Sequence, residues 1–358
     1  MSKEIFHKTN SKDFWKNLPK PFFVLAPMAE VTDIVFREFV LRHSRPDVFF
    51  TEFVSCKGLL SEKGRKHLMR DLLYTEKQQP IVAQIFGGDP KDFTPVAKLL
   101  RNLGFDGIDI NMGCPDKKVE KQGAGASLIQ DPERARAIIR ATKEGAGDIP
   151  VSVKTRIGYH KIQTQEWIEA LCKEKPNAIT LHARTRKEMS DVPAQWEEVR
   201  KAFEITSHYG IPLIGNGDVE SREQGEILAK KTGANGVMIG RGVYGNPWVF
   251  ERNPSPKSFE EKIEALAQLI FSFSSFWGEE KNYEILKRFF KSYIQEFPRS
   301  KEIRIRLMET KTSSEALGIL GELMKEDKHF LERVYSYEKI ILARDFRRKN
   351  GEYFVNEV

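Results

Sequence analysis

Eight short β-rich runs, each trailed by an amphipathic stretch, recur at regular intervals between Phe23 and Gly240. They are Phe23–Ala26, Val48–Glu52, Ile81–Ile85, Gly107–Asn111, Pro150–Thr155, Ala178–His182, Ile211–Gly215 and Gly236–Gly240. Between them lie helical patterns with start signals. Asp33–Leu41 follows Thr32, Phe93–Asn102 follows Asp89-Pro90, Glu133–Lys143 follows Asp131-Pro132, and Ser221–Lys231 follows Asp218. Eight βα units in about 250 residues match the size and pattern of a (β/α)8 barrel. A doubly wound sheet is the rival, but no strand runs into a G-x-G-x-x-G turn. The fold class is therefore α/β, a (β/α)8 TIM barrel.

Asn253-Pro254-Ser255-Pro256-Lys257-Ser258 breaks the pattern with two prolines in a polar stretch and reads as a linker. Beyond it the periodicity is helical over Phe259–Phe276, Tyr283–Phe297 (stopped by Pro298), Arg299–Thr310, Ser314–Met324 and Phe330–Phe346. The expected organisation is an N-terminal extension (1–20), a catalytic barrel (21–252), a small C-terminal helical bundle domain (258–347) and a short tail (348–358). Between Lys287 and Lys311 eight basic residues face three acids, Glu296, Glu302 and Glu309. A solvated helix face explains such charge; a patch that follows a phosphate backbone is the sharper alternative.

Composition narrows the class. The 358 residues are 40% hydrophobic and 30% charged, which fits a soluble globular protein. No apolar run approaches the roughly 20 residues of a membrane span. Met1–Asn10 has no apolar core of a secretory signal. The three cysteines, Cys56, Cys114 and Cys172, are far apart and form no Cys-x-x-Cys pair, so neither a disulfide framework nor a metal site is expected. A reducing cytoplasm fits. The net charge of +7 permits a polyanionic partner such as nucleic acid.

Chemistry is expected where strands end. Ile108-Asp109-Ile110-Asn111-Met112-Gly113-Cys114-Pro115 reads as a strand with one charge that stops on glycine and proline. Most free cysteines are small buried hydrophobes. Cys114 instead stands just past a strand's carboxyl end, and a polar then glycine-rich stretch follows, as in a mobile active-site loop. The other strand ends read Ala26-Pro27-Met28, Glu52, Gln84, Lys154, His182, Asn216-Gly217-Asp218 and Gly240-Arg241-Gly242. The glycine turns after strands 7 and 8, with Arg241, suit a phosphate. Lys154 reads as a Schiff-base nucleophile, a cation beside an anionic cofactor, or an interdomain salt bridge. His182, in the presumed mouth, is a better candidate than His43, His67, His160 or His208.

These segments together resemble the tRNA-dihydrouridine synthase family. The resemblance rests on Ala26-Pro27-Met28-Ala29-Glu30-Val31-Thr32-Asp33, Gln84-Ile85-Phe86-Gly87, Asp109 through Pro115 with Lys118-Val119 and Gly123-Ala124-Gly125-Ala126, Val153-Lys154-Thr155-Arg156, Leu181-His182-Ala183-Arg184-Thr185, Gly215-Asn216-Gly217-Asp218-Val219, and Ile239 through Trp248. It implies a flavoprotein oxidoreductase of tRNA processing that reduces the C5=C6 bond of specific uridines, with FMN bound and NADPH or NADH as reductant. It further implies Cys114 as the acid at C5. Pro27, Met28 and Ala29 would lie against the flavin, Gln84 and Lys154 at its polar edge, and His182 beside the flavin or its ribityl chain. Asn216, Gly217, Asp218, Gly240 and Arg241 would hold the phosphate. Asn111, Arg156 and Arg184 would face flavin or substrate. Lys287, Arg288, Lys291, Arg304 and Arg306 would contact tRNA, which favours the phosphate-following patch. A monomer with no membrane, metal or obligate protein partner is expected. A barrel flavoenzyme reducing a free pyrimidine or a related small molecule is the competing reading, since it would share the flavin site without needing a basic tail. Residues 1–20 lie outside the resemblance.

Overall fold

The computed structural model of this protein describes residues 13–295, 297, 299–336, 348–349 and 352–353. Eight parallel strands form one sheet: β1 (Phe22–Leu25), β2 (Phe49–Ser55), β3 (Ile81–Phe86), β4 (Gly107–Met112), β5 (Val151–Arg156), β6 (Ala178–His182), β7 (Leu213–Asn216) and β8 (Gly236–Ile239). β1 pairs with β8, each later strand pairs with its sequence neighbour, and β2 meets β1 through a bridge at Val24 and Val48. The ring is thus closed, as expected for a (β/α)8 barrel. It is thinnest at the β1–β2 seam. There the Leu25 N–H donates to the Val48 carbonyl at 3.2 Å, and the Phe23 N–H donates to the Asp47 carboxylate at 2.7 Å.

The outer helices are α1 (Ile34–His43), α2 (Cys56–Leu60), α3 (Glu62–Leu68), α4 (Phe93–Asn102), α5 (Lys117–Glu120), α6 (Pro132–Ala146), α7 (Thr164–Cys172), α8 (Trp196–His208) and α9 (Arg222–Thr232). Polar side-chain caps fix the starts of α1, α2, α3, α5, α6 and α9, because the first N–H groups of a helix lack partners. Asp131 caps α6 ahead of Pro132, and Ser221 caps α9. α1 is capped by Asp33 rather than Thr32, whose hydroxyl instead bonds the backbone of Met28. β2 is followed by two short helices, and no α-helix follows β8 before the linker.

Side chains on a strand alternate between its faces. Phe22, Val24 and Ala26 point into the barrel with Val48, Phe50, Val82, Ala178, Ile214 and Met238, while Phe23 and Leu25 face the helices. The lumen is therefore filled, not hollow. Its floor is sealed by Trp15, which is fully buried with its ring 5.9 Å from Phe22 and 6.2 Å from Phe50. Residues 13–20, expected as an extension without a role, belong to the barrel; the remainder of that segment, 1–12, lies outside the described residues.

The tail holds α10 (Phe259–Trp277), α11 (Lys287–Tyr293), α12 (Ser300–Glu309), α13 (Ser313–Leu323) and α14 (Phe330–Ser336). Ser258 and Glu261 form a reciprocal capping box at the start of α10. α11 ends at Tyr293, earlier than the expected Phe297, because Ile294 leaves the helical region at φ −98° and ψ 76°. The expected helix to Phe346 and the segment 348–358 extend outside the described residues.

The tail clasps the barrel at the seam. Lys281 Nζ lies 3.3 Å from Asp33, 3.1 Å from Glu52 of β2 and 3.6 Å from Asp71, and sits over the Trp277 ring. The Trp277 indole N–H donates to the same Asp33 oxygen at 2.8 Å. Burial pushes Glu52 up to about 7. Burial also opposes the charge on Lys281, yet its three carboxylates outweigh that and hold its pKa above the usual lysine value.

Two outcomes follow. Trp15→Ala leaves a cavity at the floor and lowers stability by about 3–5 kcal/mol, read as a drop in the urea midpoint. Lys281→Met strands buried carboxylates and costs about 3–5 kcal/mol, read by thermal unfolding. A Lys281→Met protein as stable as wild type would refute the clasp.

Candidate active site

The same alternation that fills the floor sets the upper layer. Asp109 and Asn111 of β4, Ser152, Lys154 and Arg156 of β5, His182 of β6 and Asn216 of β7 share the inward parity. The strand register places Asn111 beside Lys154, Arg156 beside His182, and His182 beside Asn216. The predicted strand-end residues thus converge on one mouth.

Its wall is a chain of hydrogen bonds. Asp109 is fully buried and accepts from the Ser152 hydroxyl at 2.6 Å and the Gln84 amide at 2.7 Å. Gln84 Oε1 in turn accepts from Asn111 Nδ2 at 3.0 Å. Asn111 Oδ1 accepts from the N–H groups of Gly113 at 3.1 Å and Cys114 at 2.9 Å. A buried polar group left unpaired is costly, so each link demands the next. Burial pushes Asp109 up to about 6, although both bonds favour its anion.

That chain positions Cys114. The segment expected as a loop forms α5 and a 3-10 turn over Gly125–Gln130. Gly125 has φ +62°, and a Cβ there would lie 2.7 Å from the Cys114 carbonyl, which accepts from the Ala126 N–H at 3.0 Å. Only glycine permits both. Cys114 is half-buried, and burial raises its thiol above the ordinary value, so it holds its proton at neutral pH.

Cations face the thiol. Burial pushes Lys154 down to about 8, with Arg156 adding to the effect. Its Nζ donates to Asn216 Oδ1 at 3.2 Å; the Asp109 carboxylate attracts it, but no carboxylate among the described residues is within ion-pair distance. Asn216 Nδ2 is tied to the Met238 carbonyl at 2.9 Å. Burial and the surrounding cations push His182 well below its usual value, leaving it neutral. Arg184 Nη1 lies 3.3 Å from its Nε2. Arg184 also bonds Asp218 and the Val192 carbonyl. Arg241 is exposed, 3.7 Å from Asp218. Asp218 has φ +53°, next to Gly217, where a Cβ would approach Ala194 to 2.8 Å. Pro27 and Met28 are half-buried, Ala29 is exposed, and a Cβ on Gly240 would touch Ala26 and Met28.

Some expected contacts are placed differently. Gln84 is fully buried, its amide turned into the wall rather than the mouth. Arg156 is buried as a brace, donating to the carbonyls of Gly113, Thr185 and Met189. Arg184 is likewise committed, to the Val192 carbonyl on its own loop and to Asp218 after β7. In the tail, Lys287 is buried against Glu284, so it cannot serve as a surface cation. Arg288 reaches back to Glu30 and the Ala29 carbonyl, Arg304 bonds the Ile294 carbonyl, and Arg306 pairs with Glu322. Lys291 is exposed.

Asp109 and Ser152 acquire their positions from cross-strand register; the signal in the sequence is a lone charge in an apolar strand two residues before Asn111. The Arg186 guanidinium grips Glu120 through both oxygens and covers the Tyr159 ring. No spacing in the sequence announces that pair.

A family model described as dihydrouridine synthase (Dus) matches residues 24–333. A protein of Staphylococcus aureus (strain COL) called probable tRNA-dihydrouridine synthase is 41% identical over 323 residues, covering 88% of this chain and 98% of its own. A probable tRNA-dihydrouridine synthase 2 of Bacillus subtilis (strain 168) is 40% identical over 321 residues, covering 88% and 98%. The family match runs from β1 into α14, and on that extent the chain belongs to the dihydrouridine synthase family.

Proposed function

We propose that this protein is a tRNA-dihydrouridine synthase, an FMN-dependent enzyme that uses NADPH or NADH to reduce the C5=C6 bond of uridines in tRNA. The observation that carries the reading is a desolvated lysine with no carboxylate in ion-pair contact, set in one mouth with a protonated thiol. A cation withdrawn from water without a partner is costly, and an anionic cofactor edge would relieve it.

The mouth suits such a cofactor. Met28 and Ala26 give an apolar surface, and Gly240 leaves the backbone bare beside them, where a Cβ would lie 3.6 Å from Ala26 and 3.7 Å from Met28. Pro27, Met28 and Ala29 would lie along the ring, with Lys154 at its polar edge and neutral His182 nearby. Arg241 and the backbone of Asn216, Gly217, Asp218 and Gly240 would take the phosphate; the Asp218 carboxylate is already held by Arg184 and the Ala194 N–H. FMN held by these residues would, once reduced, supply the hydride for C6 of the uracil. Cys114 Sγ–H supplies the proton to C5, which completes the addition across the bond. Asn111 orients the thiol through its backbone N–H, and Gln84 keeps Asn111 in place. Lys291 and, once freed from Glu322, Arg306 are the remaining tail contacts for tRNA. A target base must leave its stack to reach a mouth inside a barrel, so a folded RNA has to be gripped outside it. With tRNA as its substrate, we propose that the enzyme works in the cytoplasm, as a monomer without metal.

The test is nucleoside mass spectrometry of unmodified tRNA incubated with the protein and NADPH. A gain of two hydrogens on uridine is expected, and Cys114→Ala should lower that yield about 10²- to 10⁴-fold, the usual contribution of a general acid. Full yield from Cys114→Ala would refute the acid role. Arg241→Ala should weaken flavin retention about tenfold, the scale of one charge-assisted bond; unchanged occupancy after gel filtration would refute the phosphate assignment.

A further inference from the structure

The loops after β4, β5 and β6 are bonded into one platform beside Cys114. The Arg186 N–H donates to the Gly158 carbonyl and the Lys187 N–H to the Tyr159 carbonyl, both at 2.9 Å. The Arg186 guanidinium then crosses to Glu120 of α5 and reaches the Pro115 carbonyl at 3.4 Å. Lys117, Lys118, Lys121, Lys161 and Lys187 stand on this platform, all exposed. None of the five has an ion-pair partner among the described residues, whereas Glu120 is consumed by Arg186 and Glu188 by Thr185 and Gln195. Asp116, Asp191 and Asp131, the last paired with Arg134, are the other acids on these loops. The exposed His160 ring sits edge-on to Tyr159 at 4.6 Å.

The tail is basic as well: there Lys287, Arg288, Arg299 and Arg306 are paired with acids, while Lys291, Lys301, Lys311, Lys325 and Lys328 are exposed and have no ion-pair partner among the described residues. A phosphate backbone is gripped by cations that are free to exchange small counterions for it. Lysines on flexible stems do this without reading bases.

We infer that the lysines on the loops after β4, β5 and β6 form an RNA-phosphate contact of this protein on the barrel itself, a crescent beside the catalytic thiol and separate from the helical tail. The crescent rests on the reading of the protein as a tRNA-modifying enzyme. It holds the strand next to the target uridine, where a small displacement matters most. Because the platform is cross-bonded through Arg186, the cations keep fixed spacing around the mouth.

The experiment compares two triple variants of the full chain that lose the same charge. Lys117→Gln/Lys121→Gln/Lys187→Gln strips the crescent. Lys98→Gln/Lys230→Gln/Lys231→Gln removes three exposed lysines of α4 and α9. Binding of a labelled unmodified tRNA transcript is followed by fluorescence anisotropy across a salt series. The crescent variant should bind about tenfold or more weaker, with a log–log salt slope reduced by about three, one for each phosphate no longer neutralised. The α4/α9 variant should stay within about twofold of wild type. Lys161→Gln/Lys187→Gln, which leaves α5 intact, should show the same weakening in smaller measure, and replacing the first three by arginine should restore binding. In turnover the crescent variant should raise KM and leave kcat near wild type. Equal binding by the crescent and α4/α9 variants overturns the proposal. If wild type forms dihydrouridine and the two triples bind alike, the crescent alone falls. If wild type forms none but tRNA binding depends on the crescent, the enzymatic reading falls and the surface stands.

Discussion

The closure of this barrel depends on one lysine that is not part of it. Seven of the strand pairs share ladders of hydrogen bonds, but β1 and β2 meet only through a bridge at Val24 and Val48. Lys281, arriving from the tail, joins Asp33 after β1 to Glu52 on β2 and lies against Asp71 beyond it. Asp33 serves both sides: one carboxylate oxygen caps α1 at the Phe36 N–H, and the other receives Trp277 and Lys281. A buried ion cluster is not strongly stabilising in itself, because desolvation offsets attraction. Its force lies in what its removal leaves behind, which is a set of buried acids at the weakest seam. The tail is thus a structural member of the catalytic barrel as well as a neighbour of its mouth.

The mouth obeys a similar logic at smaller scale. Asp109 is sealed inside the barrel and has to be answered by donors, which come from Ser152 on one side and Gln84 on the other. Gln84 then fixes Asn111, and Asn111 fixes the backbone of Cys114. The chain crosses β3, β4 and β5, so the thiol is located by the sheet rather than by its own loop. The cations opposite are crowded enough that Lys154 drops to about 8 and His182 stays neutral. That crowding fits a site whose charge balance is completed from outside.

Much of this is legible in the sequence because it rests on period. Alternating apolar residues mark the strands, Asp-Pro and Ser mark the helix starts, and glycines mark the places where backbone comes close. The inward parity of Lys154, His182 and Asn216 follows from strand register alone. What cannot be read is pairing across long distances. Gln84 is polar at a strand end and looks like a ligand contact, but Asp109 and Asn111 claim its amide. Arg184 and Arg156 look like substrate contacts, but backbone carbonyls hold Arg156, and Asp218 with the Val192 carbonyl holds Arg184. The density of basic residues after Lys287 looks like a nucleic-acid surface, but intrahelical and interhelical acids neutralise much of it, and burial removes Lys287. Lys117, Lys118 and Lys121 carry no signal of their own, because three lysines near a glycine-rich turn resemble any solvated loop until the platform beneath them is seen.

The N-terminal segment has a consequence for how the chain is made. Trp15 seals a floor whose walls include Ala178, Ile214 and Met238, and the Asp13 carboxylate accepts a bond from the Asn177 amide 164 residues further on. β1 likewise finds its full partner only in β8, with Phe22 opposite Gly236. Contacts of such long sequence separation carry a loop-closure cost before they reward it. On the ribosome, the segment from Asp13 to Leu25 therefore emerges long before its resting place exists. It has to stay uncommitted through most of synthesis, with an exposed tryptophan and two adjacent phenylalanines. Completion is set by the arrival of β8, and the seam is secured only when Lys281 follows.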